Sequence, residues 1–161
     1  MPDDRVSLSR RVAATPDVVF AVITDPNRHV DIDGSGMLMS APDARPLREV
    51  GDSFDMNMDR EPLGDLPMGK YTVRNTVTKI VPDTTLEWNV GGVDQPPFGH
   101  VYGYELRAAG SGETDVTLYC DWTGVRASRI RDRFPIIPVH MLEKSLDNLE
   151  RIVTAGERLD P

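Results

Sequence analysis

Hydrophobic and polar positions follow two periods along this chain. From residues 138 to 159 apolar side chains recur at steps of three and four: Val139, Leu142, Leu146, Leu149 and Val153. That spacing predicts one buried face of a long helix. Glu143, Asp147, Glu150, Thr154 and Arg158 fall on the opposite side, and Asp147 stands one turn before Arg151, the order of a favourable ion pair. Pro138 suits a first helical position and Gly156 a stop. Ser145 and Asn148 lie on or beside the apolar stripe, which suits the floor of a pocket with a polar end. A helix with a single stripe must rest on something, and the rest of the chain supplies it.

The rest mostly alternates, the period of a strand. Arg5–Val12 predicts a first strand at or near a sheet edge. Thr15, Pro16 and Asp17 then carry helix-start signals, so the apolar run 18–23 predicts a short buried helix, stopped at Asp25-Pro26. Residues 27–32 predict a second short helix, and Asp33-Gly34-Ser35-Gly36 a turn. Six strands follow. Met37 and Met39 share a face in the first, and Phe54, Met56 and Met58 in the next. Residues 60–69 read as a loop. Tyr71, Val73, Asn75 and Val77 share a face over 70–81, and Leu86, Trp88 and Val90 over 85–90. Residues 91–99 read as a mobile loop. His100, Tyr102, Tyr104 and Leu106 share a face, as do Val116, Leu118, Cys120 and Trp122. Residues 126–134 predict a short basic helix. The expected architecture is α+β: a seven-stranded, curved antiparallel sheet wrapped around a long C-terminal helix, with two short helices between the first and second strands.

Several short patterns resemble a known superfamily when taken in order. They are Val12-Ala13-Ala14-Thr15-Pro16-Asp17-Val18-Val19-Phe20, Val50-Gly51-Asp52-x-Phe54, Asn75-x-Val77 and Thr84-x-Leu86-x-Trp88. Tyr104-x-Leu106, Gly112-x-Thr114-x-Val116-Thr117 and Leu146-x-x-Leu149-x-x-Ile152 complete the series. Together they resemble the START/Bet v 1-like (SRPBCC) superfamily, in its polyketide cyclase/dehydrase and lipid-transport branch. Asp31-x-Asp33-Gly34-Ser35-Gly36 and Asp121-Trp122 are similar to uncharacterised actinobacterial members. The resemblance implies one domain over residues 1–161, a helix-grip fold, and a hydrophobic cavity between the sheet and the last helix. It implies no single chemistry, because members bind, carry, cyclise or dehydrate different ligands.

Composition narrows the partners. A formal charge of −8 argues against nucleic acid or an anionic membrane as the main partner. The longest apolar run, 18–23, is too short to span a bilayer. No apolar segment resembling a secretory leader is expected in MPDDRVSLSRRV. Cys120 is the only cysteine, which excludes an internal disulfide and suits a cytoplasmic setting. No nucleophile elbow, phosphate loop or dinucleotide fingerprint is present, and no cofactor is assigned. His29, Asp31 and Asp33 lack the converging ligands of a zinc site and are read as a solvated loop, with no metal. Cys120 reads as an inert core thiol and His140 as a contact at the head of the long helix.

The expected ligand-binding residues are Met56, Met58, Tyr71, Asn75, Trp88, His100, Tyr102, Tyr104, Trp122, Leu142, Ser145 and Leu149. Polar groups on an apolar face carry most information, because leaving one buried without a partner costs about 1–3 kcal/mol. Asn75, His100, Tyr102 and Tyr104 are such groups, expected to orient one polar end of a ligand. The residues point to carriage or sequestration of a small hydrophobic, lipid-like or aromatic, polyketide-like molecule. The entrance is expected between loops 60–69 and 91–99 and the head of the long helix. An alternative is a cyclase, aromatase or dehydratase with His100 and Tyr104 as acid–base candidates. A second alternative is a homodimeric interaction module with a packed core. Monomer and homodimer both remain open.

Overall fold

The computed structural model describes residues 4–158. Its elements run β1 (Arg5–Val12), α1 (Pro16–Ile23), α2 (Pro26–Ile32), β2 (Leu38–Ser40), β3 (Ser53–Asp59), a 3₁₀ turn (Glu61–Leu63), β4 (Lys70–Val81), β5 (Thr85–Gly92), β6 (Pro97–Ala108), β7 (Thr114–Asp121), α3 (Ser128–Arg131) and α4 (Val139–Arg158). The strands form one curved antiparallel sheet in the order β1-β7-β6-β5-β4-β3-β2. Hairpins join β2 through β7, and β1 closes the series by pairing with β7. It is an α+β helix-grip fold, with two short helices between the first two strands.

Local chemistry sets these bounds. Pro16 occupies the first turn of α1. Asp25 caps α2 by accepting from the Asn27 amide at 3.0 Å. Leu142, Leu146, Leu149 and Val153 form the buried stripe of α4 and join the main core. Val139, at the exposed first turn, does not belong to that stripe. Asp147 does not pair along the helix with Arg151. It takes Arg10 of β1 at 2.5 Å, shared with Glu150 at 3.0 Å, while Arg151 donates to Asn148. The helix runs through Gly156, and Leu159 lies outside the described residues.

Three further expectations change. Met37 and Met39 do not share a strand face. Met37 is buried ahead of β2, Met39 is exposed, and the β2–β3 register shifts between Leu38 and Ser40. The span 91–99 is mostly ladder: Gly91 pairs with Pro97, leaving only a tight turn with Asp94 in the left-handed region. The basic helix is a single turn, α3. On the outer face, the Tyr119 ring lies over Gly103 and is buried there, and its hydroxyl donates to Glu87 at 2.7 Å.

The close backbone contacts of α4 are with β1, α1 and α2, not with the central strands. That offset leaves room between the helix head and the middle of the sheet.

Candidate functional site

The room is a cavity of about 520 Å³. Its floor is the inner face of β3 through β6, and α2, the head of α4 and residues 130–137 close it from above. Ten of the twelve expected ligand-binding residues line it: Met56, Met58, Tyr71, Asn75, Trp88, His100, Tyr102, Tyr104, Leu142 and Ser145. Trp122 and Leu149 do not. Trp122 sits at the far end of β7, stacked on Phe134 at 5.6 Å in a separate cluster with Cys120 and Val125. Leu149 is one turn too far along α4 and is sealed in the solid core.

Met68 (49% exposed), Phe98 (47%) and Ile130 (37%) line the cavity and also reach solvent, so they mark its mouth. They come from the loop before β4, the start of β6 and α3, with Arg133 beside them. Gly99 makes this corner possible. Its φ is 117°, and a side chain there would strike the Gly124 carbonyl oxygen at 2.4 Å. The bulged backbone lays the Phe98 and His100 rings parallel, 6.2 Å apart.

His100 is walled by aromatic rings, tilted on Phe134 at 4.7 Å and edge-on to Tyr102 at 5.6 Å. Burial pulls its pKa down to about 4, so the imidazole is neutral at pH 7. Its Nδ1 is buried with no hydrogen-bond partner, and the Oδ1 of Asn75 is in the same condition. Burial pushes the hydroxyls of Tyr102 and Tyr104 above the ordinary tyrosine range, so both stay protonated. The Cys120 thiol is likewise pushed up to about 12 and is no nucleophile at neutral pH.

Ser145 lines the cavity with its hydroxyl already committed. Its Oγ accepts from the Gly34 amide at 2.8 Å and donates to the Met141 carbonyl at 3.2 Å. Asn148 donates to the Ile32 carbonyl at 2.9 Å. These two polar interruptions of the helix stripe hold the α2–β2 turn onto α4.

Among the wall residues that escaped the sequence reading, His29 and Arg60 are the most deeply committed polar groups. His29 is buried on α2, not in a solvated loop. Its Nε2 donates to the Ile23 carbonyl at 2.6 Å, and its ring packs on Trp88 at 5.0 Å and edge-on to Phe54 at 5.4 Å. Burial lowers its pKa. Asp31 turns out to Arg28, and Asp33 accepts from Ser35 and the Leu38 amide. Among the described residues no cluster of His, Cys, Asp and Glu is arranged to hold a metal. Arg60 is the second: buried, and gripped by Asp65 through two hydrogen bonds of 2.8 and 2.7 Å. That carboxylate raises the guanidinium pKa further. Asp65, five residues downstream in a Pro/Gly-rich loop, was the available signal for it.

Residues 13–154 match the family described as Activator of Hsp90 ATPase homolog 1-like protein. The chain belongs to that family, within the START/Bet v 1-like superfamily. The uncharacterized protein Rv0088 of Mycobacterium tuberculosis is 32% identical over 118 residues, 73% of this chain and 47% of the relative. The chain thus spans about half the length of the curated relatives it matches. Among solved structures, protein Ms6760 of Mycobacterium smegmatis superposes with TM-score 0.69 at 16% identity, covering 95% of this chain and 92% of that one. The ZhuI aromatase/cyclase of Streptomyces sp. R1128 superposes with TM-score 0.66 at 12% identity, covering 96% of each. At those identities the structures share the fold of this chain and nothing finer. No helix of the described residues is long and apolar enough to cross a membrane.

Proposed function

We propose that this protein binds and carries a small apolar molecule in the cavity beneath the head of α4. The observation that carries the reading is the cavity itself: about 520 Å³, walled by Met, Trp, Tyr, Val and Leu side chains. Drug-sized ligands occupy pockets of roughly 300–1,000 Å³. Affinity would come from area, about 0.8 kcal/mol for each buried CH₂. The apolar rim of Met68, Phe98 and Ile130 offers the guest a graded path out of water. Methionines at the floor adapt the wall to ligand shape. A hollow interior does not suit the alternative of a packed interaction module. The cavity is built within one chain, so a monomer suffices to carry. The single buried thiol suits a reducing, cytoplasmic setting.

The fold shared with an aromatase/cyclase supports a cyclase or dehydratase as the second reading. The side chains support it less. A neutral imidazole with pKa near 4 is a weak base and no acid at pH 7. Tyr104 can donate a hydrogen bond to a ligand oxygen without being ionised. Under the carrier reading, substituting His100 or Tyr104 changes affinity only. Under the enzyme reading, it abolishes turnover while binding survives.

The test is native mass spectrometry of protein purified from its own host, followed by extraction of any bound compound. One apolar molecule per chain is the expected result. Bare protein in every preparation, together with no uptake of an apolar fluorophore, would sink the reading.

A further inference from the structure

Asn75 and His100 were expected to hold one polar end of a ligand together. The sheet register separates them. Asn75 on β4 pairs with Val90 of β5, and His100 lies on β6 at the bulge just past the Asn89–Val101 pair, so β5 stands between the two. At 4.7–4.9 Å per strand, the backbones of Asn75 and His100 are about 10 Å apart. Both residues line the cavity, both are more than nine-tenths buried, and each keeps a polar atom without a partner. The terminal torsions of Asn and His are broad, so rotation about χ2 presents either atom to a guest.

We infer, resting on the carrier reading, that the guest is an uncharged molecule with an apolar body and two hydrogen-bonding groups, one for Asn75 and one for His100. The Asn75 amide oxygen calls for a hydroxyl or N–H donor. The His100 Nδ1 calls for a hydroxyl, which can donate or accept and so suits either tautomer. The body between them rests on Val90 and Trp88, which gives it a flat, rigid shape. A charged head meets no counter-charge at His100, where burial alone sets the state of the imidazole. Arg60 is held along its Nε–Nη2 edge by Asp65, and both oxygens of Asp33 already accept hydrogen bonds. An ionised group without a counter-charge is expelled from such a site. The two orphaned atoms weaken the empty protein and are tolerated because the guest satisfies them.

The experiment uses matched probes: biphenyl with a para hydroxyl on both rings, on one ring and on neither, and naphthalene with hydroxyls at both ends, one end and neither. Affinities are measured by calorimetry on wild type, Asn75→Leu and His100→Phe. Each hydroxyl should tighten wild-type binding by about two- to tenfold on at least one frame. Each variant should lose the gain from one hydroxyl and still bind the hydrocarbon. Both variants, measured empty, should melt about 2–4 °C above wild type, since each sheds an unsatisfied polar group. Hydrocarbon and diol binding equally on both frames overturns the inference and leaves the carrier reading standing. So does a lowered melting temperature in both variants, which would give these side chains a structural role. Failure of every probe to bind sinks both readings.

Discussion

His100 is neutral in the fold because three aromatic neighbours, Phe98, Tyr102 and Phe134, and strand β6 strip its ring of water. That state has a consequence for stability. The unfolded chain takes a proton on this residue near pH 6.5, the folded chain only near pH 4. Between those values the unfolded state binds more protons, so acidification favours unfolding. The contribution is complete above about pH 6.5 and is lost progressively toward pH 4. By pH 5 about 2 kcal/mol of it has been lost. Buried His29, also depressed, acts in the same direction. Wild type is therefore expected to melt roughly 4–8 °C lower at pH 5 than at pH 7 on account of His100 alone. His100→Phe should remove that share and keep the part due to His29. Differential scanning calorimetry of the two proteins at both pH values checks it. Equal pH dependence in wild type and variant would refute the burial argument.

The joint between α4 and the α2–β2 turn shows why some of the site was legible in the chain and some was not. The helix stripe and the alternating strands give side-chain direction directly, so the wall residues Met56, Met58, Tyr71 and Trp88 follow from period alone. Period says nothing about which polar group meets which. Ser145 looked free for a ligand because its partner, the Gly34 amide, lies 111 residues away in sequence. His29 looked solvated because α2 offers too few turns to show its buried face. The bulges in β2 and β6 and the fold-back of β6 on Gly124 were equally silent, since register is set by tertiary contact. The joint itself is testable. Ser145→Ala leaves the half-buried Gly34 amide without its partner and should cost about 1 kcal/mol. Gly34→Ala should cost more, about 3 kcal/mol or above, because its methyl would lie 2.2 Å from the Met141 carbonyl oxygen. Urea titrations with the slope held constant measure both. Ser145→Ala should still bind an apolar probe, since its methyl leaves the cavity wall in place. On the opposite face, Gly103→Val should expel Tyr119 from its shelf, as a Cβ at Gly103 meets the ring at 2.4 Å. The expected reading is a fall in melting temperature with affinity for an apolar fluorophore unchanged.

At the scale of the whole molecule, the sheet and the long helix touch closely only at one side. Packing α4 onto β1, α1 and α2 makes a solid core around Leu146, Leu149 and Val153. Toward the helix head the two layers diverge, and the hollow is what remains. A void of this size is a standing cost, since its lining lacks partner atoms. Stability and binding are then in opposition, and one substitution can show it. Val90 lies at the centre of the floor, half-buried, in a strand that favours aromatic residues. Val90→Phe would extend a ring into the open space without displacing backbone. The added ring should bury apolar area in the empty protein and raise its stability by about 1 kcal/mol. The same ring should cut affinity for an apolar fluorophore at least tenfold by filling its place. Thermal melts and fluorescence titrations on one preparation give both numbers. If the cavity carries ligand, the two must move in opposite directions. A variant that is more stable and binds as before would place the ligand elsewhere on the protein. A variant that is less stable would show that the hollow is narrower at its centre than its volume implies.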